Sequence, residues 1–211
     1  MTLIPVLLTA ALISGALTIL ADYRGRYGLV YIFKPLTMAA VICVAVIGYV
    51  PGRSSYGRLI LAGLLLSLAG DVFLMLKKKR FIEGLACFLA AHLFYGAGFL
   101  SGFALRPPKW SLLLLAAFAV AAFGVLSPHL GKMRIPVAVY ILTITGMAAL
   151  AANRYYQLKD SKSLLALAGA ALFLASDTSL AVNRFIRKRR FGQLLTLGTY
   201  FIAQTLIALS A

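Results

Sequence analysis

Ile60-Leu61-Ala62-Gly63-Leu64-Leu65-Leu66-Ser67-Leu68-Ala69-Gly70-Asp71 is an apolar run that ends on a carboxylate. A run of this composition belongs in lipid, where an acidic side chain costs a few kcal/mol or more and marks a functional position by default. The stretch has an echo 106 places on: Ile60–Asp71 aligns without a gap on Ala166–Asp177, with seven of twelve positions identical. The identities are Leu61/Leu167, Ala62/Ala168, Gly63/Gly169, Leu66/Leu172, Leu68/Leu174, Ala69/Ala175 and Asp71/Asp177. The chain therefore reads as two related halves, about 1-105 and 106-211, each with one aspartate at the same height.

Working outward, hydrophobic residues make up 62% of the 211 and charged residues 12%. Mean hydropathy is +0.95. A soluble domain of this length cannot hide so much apolar surface, so the class is a polytopic, all-α integral membrane protein. Eight runs approach the ~20 residues that span a hydrocarbon core. They are Leu3–Leu20, Tyr31–Val50, Leu59–Leu76, Phe81–Leu105, Trp110–Leu126, Ile135–Ala152, Leu164–Asn183 and Phe191–Ser210. The first has no Lys or Arg before it, which argues for a membrane helix over a cleavable signal peptide. Short connectors such as Val50-Pro51-Gly52-Arg53 and Arg106-Pro107-Pro108-Lys109 leave no room for a second domain, so 1-211 reads as one transmembrane domain.

The net charge of +16 comes from 21 Lys and Arg against 5 acids. Fourteen of the basic residues fall on the side of connectors 1–2, 3–4, 5–6 and 7–8, if Lys34 is included, and seven on the other. The positive-inside rule places the richer side in the cytoplasm and both termini outside. No segment offers the solvated basic face with aromatics that nucleic-acid binding needs, and anionic lipid headgroups suit these connectors better. Cys43 and Cys87 lie inside apolar runs and read as free, buried thiols.

Asp71 is six residues before Lys77, ~9 Å inside the cytoplasmic boundary at the helical rise, and Asp177 and Lys34 come out at similar depth. Aligning Gly84 with Gly192 sets His92 against Tyr200, both nearer mid-membrane. By i+3/i+4 spacing, Gly63, Ser67, Gly70, Asp71 and Leu74 share a face. So do Gly84, Phe88, His92 and Tyr95, and likewise Thr196, Tyr200 and Gln204. A two-fold axis along the membrane normal would bring both aspartates to one cavity between the repeats. Two carboxylates in a dry cavity share protons, which supplies a general acid beside a general base. Simpler roles exist for each residue: Lys34 can snorkel, His92 can hydrogen-bond between helices, and Tyr95, Tyr200 and Gln204 can be packing or interhelical glue. Glu83 reads as interfacial and His129 as a loop residue. With two histidines in the chain, one in a connector, no three-histidine zinc site can be built, and no cofactor is expected.

In Phe33-Lys34-Pro35-Leu36, Gly70-Asp71-Val72-Phe73-Leu74, Gly84…Phe88…His92…Tyr95, Ser176-Asp177, Asn183-Arg184-Phe185 and Tyr200…Gln204, the chain resembles the YhhN-like family, the lysoplasmalogenases. The pieces occur in family order across nearly the whole chain. The resemblance implies hydrolysis of the vinyl ether bond of a lysoplasmalogen to a fatty aldehyde and glycerophosphoethanolamine or glycerophosphocholine. It implies Asp71 and Asp177 as catalytic residues, with Lys34, His92, Tyr95, Asn183, Tyr200 and Gln204 binding or positioning substrate and water. The partners expected are a lysophospholipid and membrane lipids, with no protein partner, in a bacterial inner membrane with the site facing the cytoplasm. The competing reading is a proton-coupled transporter of lipid or a small molecule using the same aspartates.

Overall fold

The computed structural model describes residues 3–48, 55–76, 80–187 and 189–211. The connector Val50–Arg53, and Lys77, Lys78, Lys79 and Lys188 of the basic tally, lie outside the described residues. Among the described residues eight α-helices follow one another: α1 Leu3–Tyr23, α2 Tyr27–Gly48, α3 Ser55–Met75, α4 Phe81–Leu100, α5 Lys109–Leu126, α6 Arg134–Leu158, α7 Ser161–Ala181 and α8 Arg190–Ser210. Each is long and apolar enough to cross a membrane. Side chains such as Leu12 and Val120 stand 74% and 75% exposed on the rim, where only lipid could cover them. The chain is an integral membrane protein.

Several helix ends differ from the hydropathy reading, each for a local reason. Helix α4 stops at Leu100 rather than Leu105 because Gly102 takes a left-handed φ of +82° and two prolines follow. Asn153 and Gln157 of α6 then pin the connector, donating to the Ala104 carbonyl at 3.2 and 2.9 Å. Helix α6 runs on to Leu158, past the point where polarity rises, because nothing breaks it before Lys159 adopts φ 53°. Asp160 then caps α7, accepting from the Ser163 N–H at 2.7 Å. The thiols are free as expected, but Cys43 is exposed and Cys87 half-buried. Cys43 lies on the lipid-facing side of α2, a surface that an apolar run cannot distinguish from its buried face.

Packing uses small residues for close approach, since lipid supplies no hydrophobic drive between helices. Helix α1 buries the stripe Ala11, Ser14, Gly15, Thr18 and Ala21, and Thr37 of α2 donates to the Ser14 hydroxyl at 2.9 Å. On α3, a Cβ at Gly63 would come within 2.3 Å of the Tyr95 ring, and one at Gly70 within 2.8 Å of Phe88. Helix α3 packs on α4 and α7 on α8; α2 meets α8, and α4 meets α6. Helix α5 packs chiefly on α6 at the periphery. Phe173 of α7 sits at the centre, with ring contacts to Phe88, His92, Tyr95 and Tyr200.

Candidate active site

Asp71 is 1% exposed at its side chain and is gripped from two other helices. Lys34 of α2 reaches Oδ1 with its Nζ at 2.9 Å. The Tyr200 hydroxyl of α8 donates to Oδ2 at 2.6 Å. Lys34 is thus drawn inward rather than snorkelling, and its ammonium also lies 5.7 Å from the Tyr200 ring centre. A charge this deep persists only with such a partner.

Asp177 is 11% exposed and differently held. The Tyr140 hydroxyl of α6 donates to its Oδ2. His92 Nε2 of α4 lies 3.8 Å from the same oxygen, too long for a hydrogen bond, and both His92 ring nitrogens are buried without a hydrogen-bond partner. The arrangement crosses between the halves: Tyr200 of the second serves Asp71, and His92 of the first approaches Asp177.

Deeper in, Tyr95 donates to Gln204 Oε1 at 2.7 Å and lies 3.3 Å from the Ser67 hydroxyl. The Gln204 Nε2 is buried and unpartnered. Gln204, Tyr95 and His92 are not among the residues that line the cavity onto which the aspartates open. Asn183 lies in a π-helical turn, Val182–Ile186, that follows α7. Its Oδ1 accepts from the Arg189 N–H at 3.2 Å and its side chain presses on Gly192, so it shapes the α7–α8 connector.

Both aspartates open into one cavity of about 1410 Å³, together with Lys34, Asn183 and Tyr200. The volume exceeds the ~300–1,000 Å³ usual for small-ligand pockets and leaves room for a headgroup and water. Arg24, Arg184, Arg187 and Arg189 also line it, so its mouth is on the basic face. These arginines read as an orientation signal in the sequence; in the structure they also face the cavity. Tyr140 and Phe173 were not expected at the site. An aromatic inside an apolar run is ordinary, and aligning Pro35 with Pro136 sets Ile135 against Lys34; the 106-place register that pairs the two aspartates instead sets Tyr140 against Lys34, and that was the signal to follow. Glu83 and His129 are exposed. Among the described residues no cluster of three His, Cys, Asp or Glu could hold a metal.

This set of residues, with its spacing across α2, α3, α4, α7 and α8, falls inside residues 29–211, which match the profile of the YhhN family. The chain belongs to the YhhN family. The membrane protein YhhN of Escherichia coli O157:H7 is 28% identical over 204 residues, covering 95% of this chain and 96% of that protein. Human lysoplasmalogenase TMEM86A is 33% identical over 171 residues, 78% of this chain and 69% of the human one. Mouse lysoplasmalogenase TMEM86B is 35% identical over 175 residues, 81% and 71% respectively. No solved structure matches the chain.

Proposed function

We propose that this YhhN-family protein is a membrane-embedded hydrolase that cleaves the vinyl ether bond of lysoplasmalogens. The relatives named lysoplasmalogenase support the reaction class. The observation that carries the mechanism is the shared cavity, onto which two differently partnered aspartates open. Vinyl ether hydrolysis begins with protonation of the β-carbon of the alkenyl chain, leaving an oxocarbenium ion at the ether carbon. Water adds there and loses a proton, and the hemiacetal collapses to a long-chain aldehyde and the glycerol hydroxyl of the headgroup.

The partners divide the labour. Asp71, clamped by the Lys34 ammonium and the Tyr200 hydroxyl, is the fixed carboxylate that stabilises the cation and receives the proton of the attacking water. Asp177, whose only ion-pair partner among the described residues is His92, is the proton donor. Tyr140 holds its carboxyl in place, His92 packs beside it, and water in the shared cavity carries the proton from Asp71 back to Asp177 between turnovers. Tyr95 and Gln204 brace α3, α4 and α8 behind the pair, and Asn183 sets the arginine-bearing connector at the mouth. The arginines receive the phosphodiester. The basic mouth faces the cytoplasm, the termini face out, and the two halves are structural repeats.

The deciding experiment is aldehyde release from a lysoplasmalogen by purified protein, with and without EDTA, beside Asp71→Asn and Asp177→Asn. Wild type is expected to release aldehyde in either condition, and each variant to lose at least about a hundredfold. Full activity in either variant would sink the assignment, and loss on chelation would replace it with metal chemistry. Folded wild type that releases no aldehyde yet moves lipid across a vesicle membrane would make the aspartates proton carriers of a transporter.

A further inference from the structure

Beside the polar cavity runs a second, narrow one of about 50 Å³, lined almost entirely by apolar side chains of α4, α5, α6 and α7. The two share Leu74, Phe81, Phe88, Asp177 and Leu180 in their walls, so Asp177 stands where a wet, basic vestibule gives way to a dry slot. One water-sized sphere needs ~10–15 Å³ of such volume, so the slot holds a few such spheres, room for a short stretch of one hydrocarbon chain and not of two. Its outer wall is α5, through Phe118 and Ala122, and α5 packs chiefly on α6, leaving its α4 side as a seam toward the bilayer.

We propose that this slot takes the single alkenyl chain of the substrate, entering from the bilayer between α4 and α5. The proposal rests on the hydrolase reading above and extends it to chain recognition. With the phosphodiester among the arginines and the chain in the slot, the first carbons of the chain lie at Asp177, the atoms that must be protonated. A diacyl-type lipid would have to place a second chain in the vestibule among Lys34 and the arginines, where apolar surface gains nothing by leaving the membrane. Selectivity for lipids with one chain therefore follows from the small volume of the slot, which holds the first few carbons while the rest of a long chain runs along the α4–α5 seam to the bilayer.

Two measurements test this. The first compares kcat/KM for a long-chain lysoplasmalogen and its short-chain homologue in wild type and in Ala122→Phe, which fills the outer end of the slot from the peripheral helix. The variant is expected to lose at least about tenfold on the long chain and much less on the short one. Equal loss on both, or no loss, overturns the slot. The second uses a non-cleavable alkyl lysophosphoethanolamine with a diazirine in mid-chain, photolysed on wild type and mapped by mass spectrometry. Adducts on α5 and α6 beside the slot are expected, and adducts confined to the vestibule or the outer rim overturn it. Because photolabelling needs no catalysis, adducts in the slot without aldehyde release would remove the hydrolase reading while leaving the chain site, and the reverse result would remove only the chain site.

Discussion

Asp71 is held by a lysine ammonium at 2.9 Å and a tyrosine hydroxyl at 2.6 Å, each from a different helix, so three elements converge on one carboxylate. Removing one partner of a buried pair leaves the other uncompensated, a loss of about 3–5 kcal/mol. Lys34→Met is therefore expected to lower thermal stability in detergent sharply. The double variant Lys34→Met/Asp71→Asn should recover part of that loss, because no unpaired charge remains. A double variant no more stable than Lys34→Met would place the effect of Lys34 in packing rather than charge. At this scale the sequence was readable where a residue was costly: Asp71, Asp177 and Lys34 stand out because nothing in an apolar run tolerates them without a reason. Tyr140 does not stand out in this way, because a tyrosine costs little in a membrane helix; only the 106-place register, which sets it against Lys34 as it sets Asp177 against Asp71, points to it. Phe173 was not readable, because its central place depends on how α4, α7 and α8 meet.

The helices themselves were legible to within a few residues, and the misses trace to backbone chemistry that hydropathy does not register. Gly102 ends α4 early, Lys159 ends α6 late, and the π-turn at Val182–Ile186, closed by the Arg187 N–H on the Val182 carbonyl at 3.0 Å, has no pattern of its own. The joint between α6 and α7 gives a test at this scale. Hydrogen bonds from the Ser163 side chain and then its backbone N–H hold the Asp160 carboxyl below its ordinary value of 3.8. A depressed folded value means that the ionised cap stabilises α7 fully above that ordinary value and progressively less as the pH falls through the folded one. Asp160→Ala is expected to cost about 1 kcal/mol at neutral pH, a melting shift of roughly 2–4 °C for a chain of this size. The gap from wild type should narrow as the pH is taken below 3.8. A gap independent of pH would assign the effect to helix propensity instead of the charged cap.

Across the whole molecule, exchanging the halves carries α3 on α4 into α7 on α8 and α4 on α6 into α8 on α2, pairings that are all present. That pattern supports a parallel repeat about an axis along the membrane normal, and with it the crossing by which each half supplies a ring to the other half's aspartate. The symmetry is incomplete, since α1 also touches α8 while α5 remains at the edge, and this asymmetry opens the slot on one side only. An even number of spans puts both termini on one face, so the side of one connector settles the orientation of all of them. Arg26 and Lys109 are exposed and lie on opposite faces of the bundle, while Cys43 and Cys87 lie within spans. In intact bacterial cells, a membrane-impermeant maleimide is expected to label Lys109→Cys and to leave Arg26→Cys unlabelled until the inner membrane is permeabilised. The reverse would turn the basic mouth outward, against the charge bias of the connectors. Under the proposed hydrolysis it would also change the lipid supply, because a cytoplasmic mouth would draw its headgroups from the inner leaflet and an outward one from the outer leaflet.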